Sequence, residues 1–123
     1  MSKVIAYVED DKDIIDLVAI ILERQGYTVE GFTDSPEVWD QLENLNPDLI
    51  LLDIMMPRID GFEVYDGLKK RDTTSSIPIV VVSAMKKAIE EIQQESRIEV
   101  EGCLVKPFTI GELSSMVKEV LEL

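Results

Sequence analysis

The sequence has no histidine and only one cysteine, Cys103, among its 123 residues. Without histidine there is no Ser-His-Asp or Cys-His catalytic pair and no imidazole metal ligand. A single cysteine forms no internal disulfide and supplies no zinc framework. Positive charge is scarce as well: 12 Lys and Arg stand against 25 Asp and Glu, a net charge of −13. Affinity for a phosphate backbone or an anionic lipid surface comes from Lys and Arg, so this balance argues against nonspecific binding to nucleic acid or membrane. No apolar run approaches the roughly 18 residues that suggest a membrane span. Met1-Ser2-Lys3 leads straight into a short apolar stretch without the layout of a signal peptide, so a cytoplasmic location is expected. Any bound metal must be held by oxygen, which points to a hard cation such as magnesium.

What is present fits one globular domain with one good core. Five short apolar runs stand out, at residues 4–8, 27–32, 49–52, 77–82 and 103–105. Several are nearly continuous Val, Ile or Leu, the pattern of strands buried on both faces. Helical spacing fills the gaps. The clearest stripe is Leu113, Met116, Val117, Val120 and Leu121, at i, i+3, i+4, i+7 and i+8. A first helix is expected over residues 12–25, with Gly26 as its left-handed cap. A second opens at Ser35-Pro36-Glu37, a third covers 61–70 and a fourth 86–97. Five repeats of strand then helix force a parallel sheet with helices on both faces, a single α/β domain over residues 1–123.

In such a sheet, ligands collect at the carboxyl ends of the strands. Those ends carry Glu9-Asp10-Asp11, Asp53, Ser83 and Lys106. Crowded carboxylates repel one another, and a divalent cation removes the conflict. Magnesium takes one or two carboxylates and leaves its other positions to water and phosphate oxygens. An acidic cup with one lysine and one hydroxyl therefore suits the meeting of a metal and a phosphoryl group.

Val8-Glu9-Asp10-Asp11, Asp53-Ile54-Met55-Met56-Pro57 with Asp60-Gly61, Ser83-Ala84 and Lys106-Pro107-Phe108 occur in order over the chain. Together they resemble the CheY-like receiver domains of two-component response regulators. The resemblance implies a doubly wound (βα)5 fold with strand order 2-1-3-4-5. It implies that Asp53 accepts a phosphoryl group from a phosphohistidine on a partner kinase or histidine phosphotransfer protein. Asp10, Asp53 and the backbone carbonyl of Met55 would ligate Mg2+, and Glu9 would hold a metal-bound water. Lys106 would pair with the phosphoryl group, across a cis bond to Pro107. Ser83 would hydrogen-bond a phosphoryl oxygen and pass the signal to the face formed by helix 4, strand 5 and helix 5. With no histidine, the chain cannot itself be the kinase or the histidine relay. Its implied role is a switch rather than a turnover enzyme, read out by a protein target or by an output domain from which it has been excised.

Other residues read as structural. Asp11 caps the first helix, Asp60-Gly61 makes a turn and helix start, and Trp39 and Met116 pack. Cys103 stands where receivers usually carry a switching aromatic, and it reads as a small hydrophobe rather than a redox sensor. Gly102 and Met116 replace an acid and an arginine through which DNA-binding regulators often dimerise. Met55 and Met85 flank the acceptor, where two apolar side chains would hinder water and lengthen the phosphorylated lifetime. Helix 4 carries few apolar residues and is expected to be a mobile output element.

Three competing functions fit these residues less well. An aspartyl phosphatase needs a second acid two residues after its nucleophile, and that position is Met55. A flavin carrier needs a glycine- and hydroxyl-rich loop after strand 1, where Glu9-Asp10-Asp11 would repel phosphate. A receiver-like docking module that takes no phosphate typically loses the acceptor or the lysine, and both are present.

Overall fold

The computed structural model describes residues 2–95 and 97–122. Strands and helices alternate along the chain: β1 (Val4–Val8), α1 (Lys12–Glu23), β2 (Thr28–Phe32), α2 (Val38–Leu45), β3 (Leu49–Asp53), α3 (Gly61–Lys70), β4 (Ile79–Ser83), α4 (Lys86–Gln94), β5 (Gly102–Val105) and α5 (Ile110–Leu121). All strand pairs are parallel, in the order β2-β1-β3-β4-β5. The chain leaves β1 for β2 on one side and returns to β3 on the other, so the order reverses beside β1 and β3.

Alternation along the strands sorts the core into two layers. Ala6, Val8, Ile50, Leu52, Ile79 and Val81 face α2, α3 and α4 through Leu42, Val64, Leu68, Ile89 and Ile92. Ile5, Tyr7, Leu49, Leu51, Val80 and Val82 face α1 and α5 through Val18, Leu22, Leu113 and Val117. β3 and β4 are buried along their whole length, as near-continuous apolar runs require. Trp39 is half-buried in the first layer and donates from Nε1 to the Val64 carbonyl at 3.2 Å; Met116 packs on the second.

Several boundaries differ from the sequence expectation for local reasons. β4 starts at Ile79 because Pro78 has no N–H to donate, and Ile77 closes a turn onto the Thr74 carbonyl instead. α2 starts at Val38, not at Ser35-Pro36-Glu37: the Val38 N–H bonds the Ser35 carbonyl, so those three residues form a tight turn ahead of the helix. α1 ends at Glu23, and Gly26, with φ 98°, turns the chain so that the Tyr27 N–H reaches the Leu22 carbonyl. α4 stops at Gln94, short of the expected 97, and residue 96 lies outside the described residues. Beyond it, the Tyr65 hydroxyl accepts from the Glu99 N–H at 2.7 Å, while Ile98 packs against the core. α5 opens with a Thr109–Glu112 capping box. Among the described residues no helix is long and apolar enough to cross a membrane.

Candidate functional site

The strands deliver the chemistry to one edge. Glu9 follows β1 and extends its ladder by donating to the Phe32 carbonyl at 2.9 Å. Asp53 and Ser83 are the last residues of β3 and β4. Lys106 follows β5 and is tied to β4 by its N–H on the Ser83 carbonyl, 2.8 Å. The Lys106-Pro107 peptide is cis, as expected. Asp11 instead caps α1, accepting from the Asp13 N–H, and Asp60 caps α3 on the Phe62 N–H.

Glu9, Asp10 and Asp53 bring one carboxylate oxygen each to within 4.8 Å of one another. Glu9 and Asp53 are buried while Asp10 is exposed at the mouth, beside Met55, Met56, Pro57 and Asp60. The Lys106 ammonium bridges the two buried acids, bonding Glu9 Oε1 and, at 2.8 Å, Asp53 Oδ2. Asp53 Oδ1 accepts from the Met55 N–H at 2.8 Å, and Glu9 Oε2 from the Asp10 N–H at 3.0 Å. Burial, reinforced by Asp53, pushes the Glu9 carboxyl up to about 8 despite the opposing pull of Lys106. Burial works against the Lys106 ammonium, but its bonds to Asp53 and Glu9 outweigh this and raise its pKa.

The donors are all oxygen, and three carboxylates outnumber one ammonium. Such a donor set suits a hard divalent cation. Ser83 lies on the same edge but is occupied: its buried Oγ accepts from the Met85 N–H at 3.0 Å, at the start of α4. Met55 and Met85 flank the site with about half of each residue exposed, 52% and 49%. Cys103 is half-buried in β5, and burial pushes its thiol pKa up, away from reactivity.

Asp34 escaped the sequence reading. It is wholly buried after β2, and it accepts from the Arg58 N–H at 2.6 Å and the Ile59 N–H at 3.2 Å, with the Arg58 guanidinium at 3.1 Å. It thus clamps the loop that runs from Asp53 to α3. Burial opposes its charge, but the bonds from Arg58 and Ile59 win and hold its pKa below the ordinary value. Only its position at the same sheet edge could have flagged it. Asp34→Ala strands two loop N–H groups and should cost about 1–3 kcal/mol in urea unfolding. The wild-type contribution from this lowered pKa is present above about pH 4 and lost as pH falls through the folded value. An unchanged midpoint would refute the clamp.

Gly61 backs the same loop. A Cβ there would lie 2.3 Å from Ile54 Cα and 2.7 Å from the Asp53 carbonyl oxygen. Both are backbone atoms that cannot swing aside, so Gly61→Ala should displace the end of β3 and cost about 1–3 kcal/mol. Thermal melting checks this, and a wild-type melting temperature would contradict it.

A doubly wound parallel sheet with an acidic pocket and a bridging lysine at its switch point defines the class: an α/β domain with a charged ligand site at its strand ends. The family model for the response regulator receiver domain matches residues 5–118. The chain is 35% identical over 117 residues to the DNA-binding dual master transcriptional regulator RpaA of Synechocystis sp., covering 95% of this chain and 48% of the relative. It is 32% identical over 121 residues to the alkaline phosphatase synthesis transcriptional regulatory protein PhoP of Bacillus subtilis, covering 98% and 49%. It therefore spans about half the length of these relatives. The chemotaxis response regulator CheY4 of Vibrio cholerae superposes with a TM-score of 0.87 at 26% identity, over 98% of this chain and all of that one (100%). The receiver domain of the sensor histidine kinase PA1611 of Pseudomonas aeruginosa, solved with a magnesium ion coordinated in its active site cleft, shares the fold at TM-score 0.85 and 22% identity, over 100% of both chains. The chain belongs to the response regulator receiver domain family: it is a CheY-like receiver of two-component, phosphorylation-based signalling.

Proposed function

We propose that Asp53 is the phosphoryl acceptor, and that residues 1–123 work as one receiver domain whose charge state is read by a partner. The observation that carries this is the buried Asp53 carboxylate, held by Lys106 at 2.8 Å beside Glu9 and Asp10. An Asp53 oxygen attacks the phosphorus of a phosphohistidine on a histidine kinase or histidine phosphotransfer protein. The new P–O bond forms as the P–N bond breaks, and the electron pair returns to the partner's imidazole. Asp10, Asp53 and the Met55 carbonyl would ligate Mg2+, with Glu9 holding one of its waters. Bound there, the ion supplies positive charge against the carboxylates and the transferring phosphoryl oxygens.

Lys106 then turns to the phosphoryl oxygens. The Ser83 hydroxyl, now on the Met85 N–H, moves to another of them, which loosens the start of α4 and signals through the α4–β5–α5 face. With Cys103 in β5 there is no aromatic ring to swing, so the change at that face rests on the helix. α4 buries only Ile89 and Ile92, which keeps its rearrangement cheap. The partner is a cytoplasmic protein target or an output domain attached in a longer chain, and the domain assists its own phosphorylation without turning over substrate. It makes no direct nucleic-acid or membrane contact, in keeping with its charge of −13.

The test is intact mass after incubation with acetyl phosphate and magnesium, beside a sample containing EDTA. A gain of one phosphoryl group that needs the metal supports the reading; no gain under conditions that preserve acyl phosphates overturns it in favour of a docking module. The exposed methionines add a second expectation. Met55→Asn and Met85→Glu should each shorten the phosphorylated lifetime severalfold by admitting water, and unchanged decay in both would refute the shielding.

A further inference from the structure

Tyr7 is wholly buried in β1, and its hydroxyl has no hydrogen-bond partner. The other buried side-chain atom without a hydrogen bond among the described residues, Asp34 Oδ1, at least meets the Arg58 guanidinium at 3.1 Å. A buried orphan hydroxyl costs free energy, and Phe would fill the same space without that cost. The packing of Tyr7 against Val18, Leu22, Leu51 and Val82 therefore does not explain its oxygen.

Its position does. Tyr7 precedes Glu9 by two residues, and side chains two apart along extended backbone share a face. Burial, the neighbouring acids Glu9 and Asp53 and the closeness of the Glu9 carboxyl to the hydroxyl keep the phenol protonated, so Glu9 is the acceptor within its reach although no bond of hydrogen-bond geometry is made at rest. Glu9 has one oxygen on the Asp10 N–H and the other on Lys106, and Lys106 is shared with Asp53. A phosphoryl group on Asp53 draws the ammonium towards itself, since it concentrates more negative charge than the carboxylate it replaces. Glu9 would then have lost the ammonium from Oε1, and even with a metal-bound water it keeps room to accept from the buried hydroxyl beside it.

We propose that Tyr7 is a positioning residue of the acceptor site, its hydroxyl donating to the Glu9 carboxylate when Lys106 turns to the phosphorylated Asp53. This rests on the reading of Asp53 as the acceptor. The orphan hydroxyl is then a partner held in reserve: unsatisfied at rest, satisfied in the loaded state. It holds Glu9 towards Asp10 and Asp53 while its former partner is engaged elsewhere.

The experiment uses beryllofluoride with magnesium as the acyl-phosphate mimic, on wild type and Tyr7→Phe. At rest the variant should melt at or above the wild-type temperature. On loading, its upward shift should be clearly smaller and its apparent beryllofluoride affinity at least fivefold weaker. The wild-type near-ultraviolet tyrosine difference spectrum on loading should be reduced in the variant, a signature that a packing role would not produce. A lower resting melting temperature, or equal loading shifts and spectra, would overturn the proposal. Absence of any loading shift in the wild type itself would instead overturn the acceptor reading, and this one with it.

Discussion

Asp53→Asn should abolish phosphoryl uptake from acetyl phosphate while leaving the fold intact. The amide keeps the shape of the carboxylate and can still accept from the Met55 N–H, but it offers no anionic oxygen to attack phosphorus. Glu9 stands close by, yet it is bound by Lys106 and by the Asp10 N–H, so it is not expected to substitute at a comparable rate. Stability should hold or rise. The variant removes one of three crowded carboxylates, which relieves the repulsion that helps push Glu9 up to about 8. Intact mass and a thermal melt on the same samples check both parts. Uptake equal to wild type would remove Asp53 from the mechanism, and a collapsed melt would show that its charge is structural.

The second large effect is a coupling between magnesium and protons. In the metal-free protein the Glu9 carboxyl, raised from an ordinary 4.5 to about 8, holds a proton at neutral pH. A metal site needs its carboxylates ionised, so binding must expel that proton. Magnesium affinity should rise with pH by up to about tenfold per unit between pH 6 and 8, then level off. Calorimetry in buffers of different ionisation enthalpy would show release approaching one proton at the low end. The stability of the metal-free protein carries the opposite sign. Because the folded pKa is raised, the Glu9 contribution is complete below about pH 4.5 and is lost as pH climbs through about 8. Saturating magnesium should flatten that slope. A magnesium affinity constant over pH 6 to 8 would mean that Glu9 is already ionised.

The parts of this protein written in local pattern were legible in its sequence. The runs of β3 and β4 are apolar throughout because both faces are covered, and α5 shows its buried stripe at helical spacing. Parallel topology then forces the strand ends, and with them Glu9, Asp53, Ser83 and Lys106, onto one edge. What escaped depends on partners far apart in the chain. The bonds of Asp34 go to residues 24 and 25 positions away, and no spacing rule connects them. Tyr7 looked like one more strand residue, because only the folded core reveals that its hydroxyl is stranded. The start of α2 was misplaced for a related reason. Ser-Pro-Glu is a sound helix opening in isolation, but here Ser35 follows a buried Asp34 pinned to the neighbouring loop, and the turn precedes the helix. Ser83 lies at the end of β4 as the apolar run before it dictates, while the resting bond of its hydroxyl to the Met85 N–H depends on how α4 begins.

The central claim, that Asp53 carries the phosphoryl group, is tested most directly by borohydride reduction of the phosphorylated protein followed by peptide sequencing in the mass spectrometer. Reduction of an aspartyl phosphate leaves homoserine at the acceptor position. The expected result is homoserine at position 53 alone, within the peptide that contains the end of β3, and none when EDTA is present during phosphorylation. Reduction at position 9 or 10, or elsewhere with Asp53 untouched, would contradict the account.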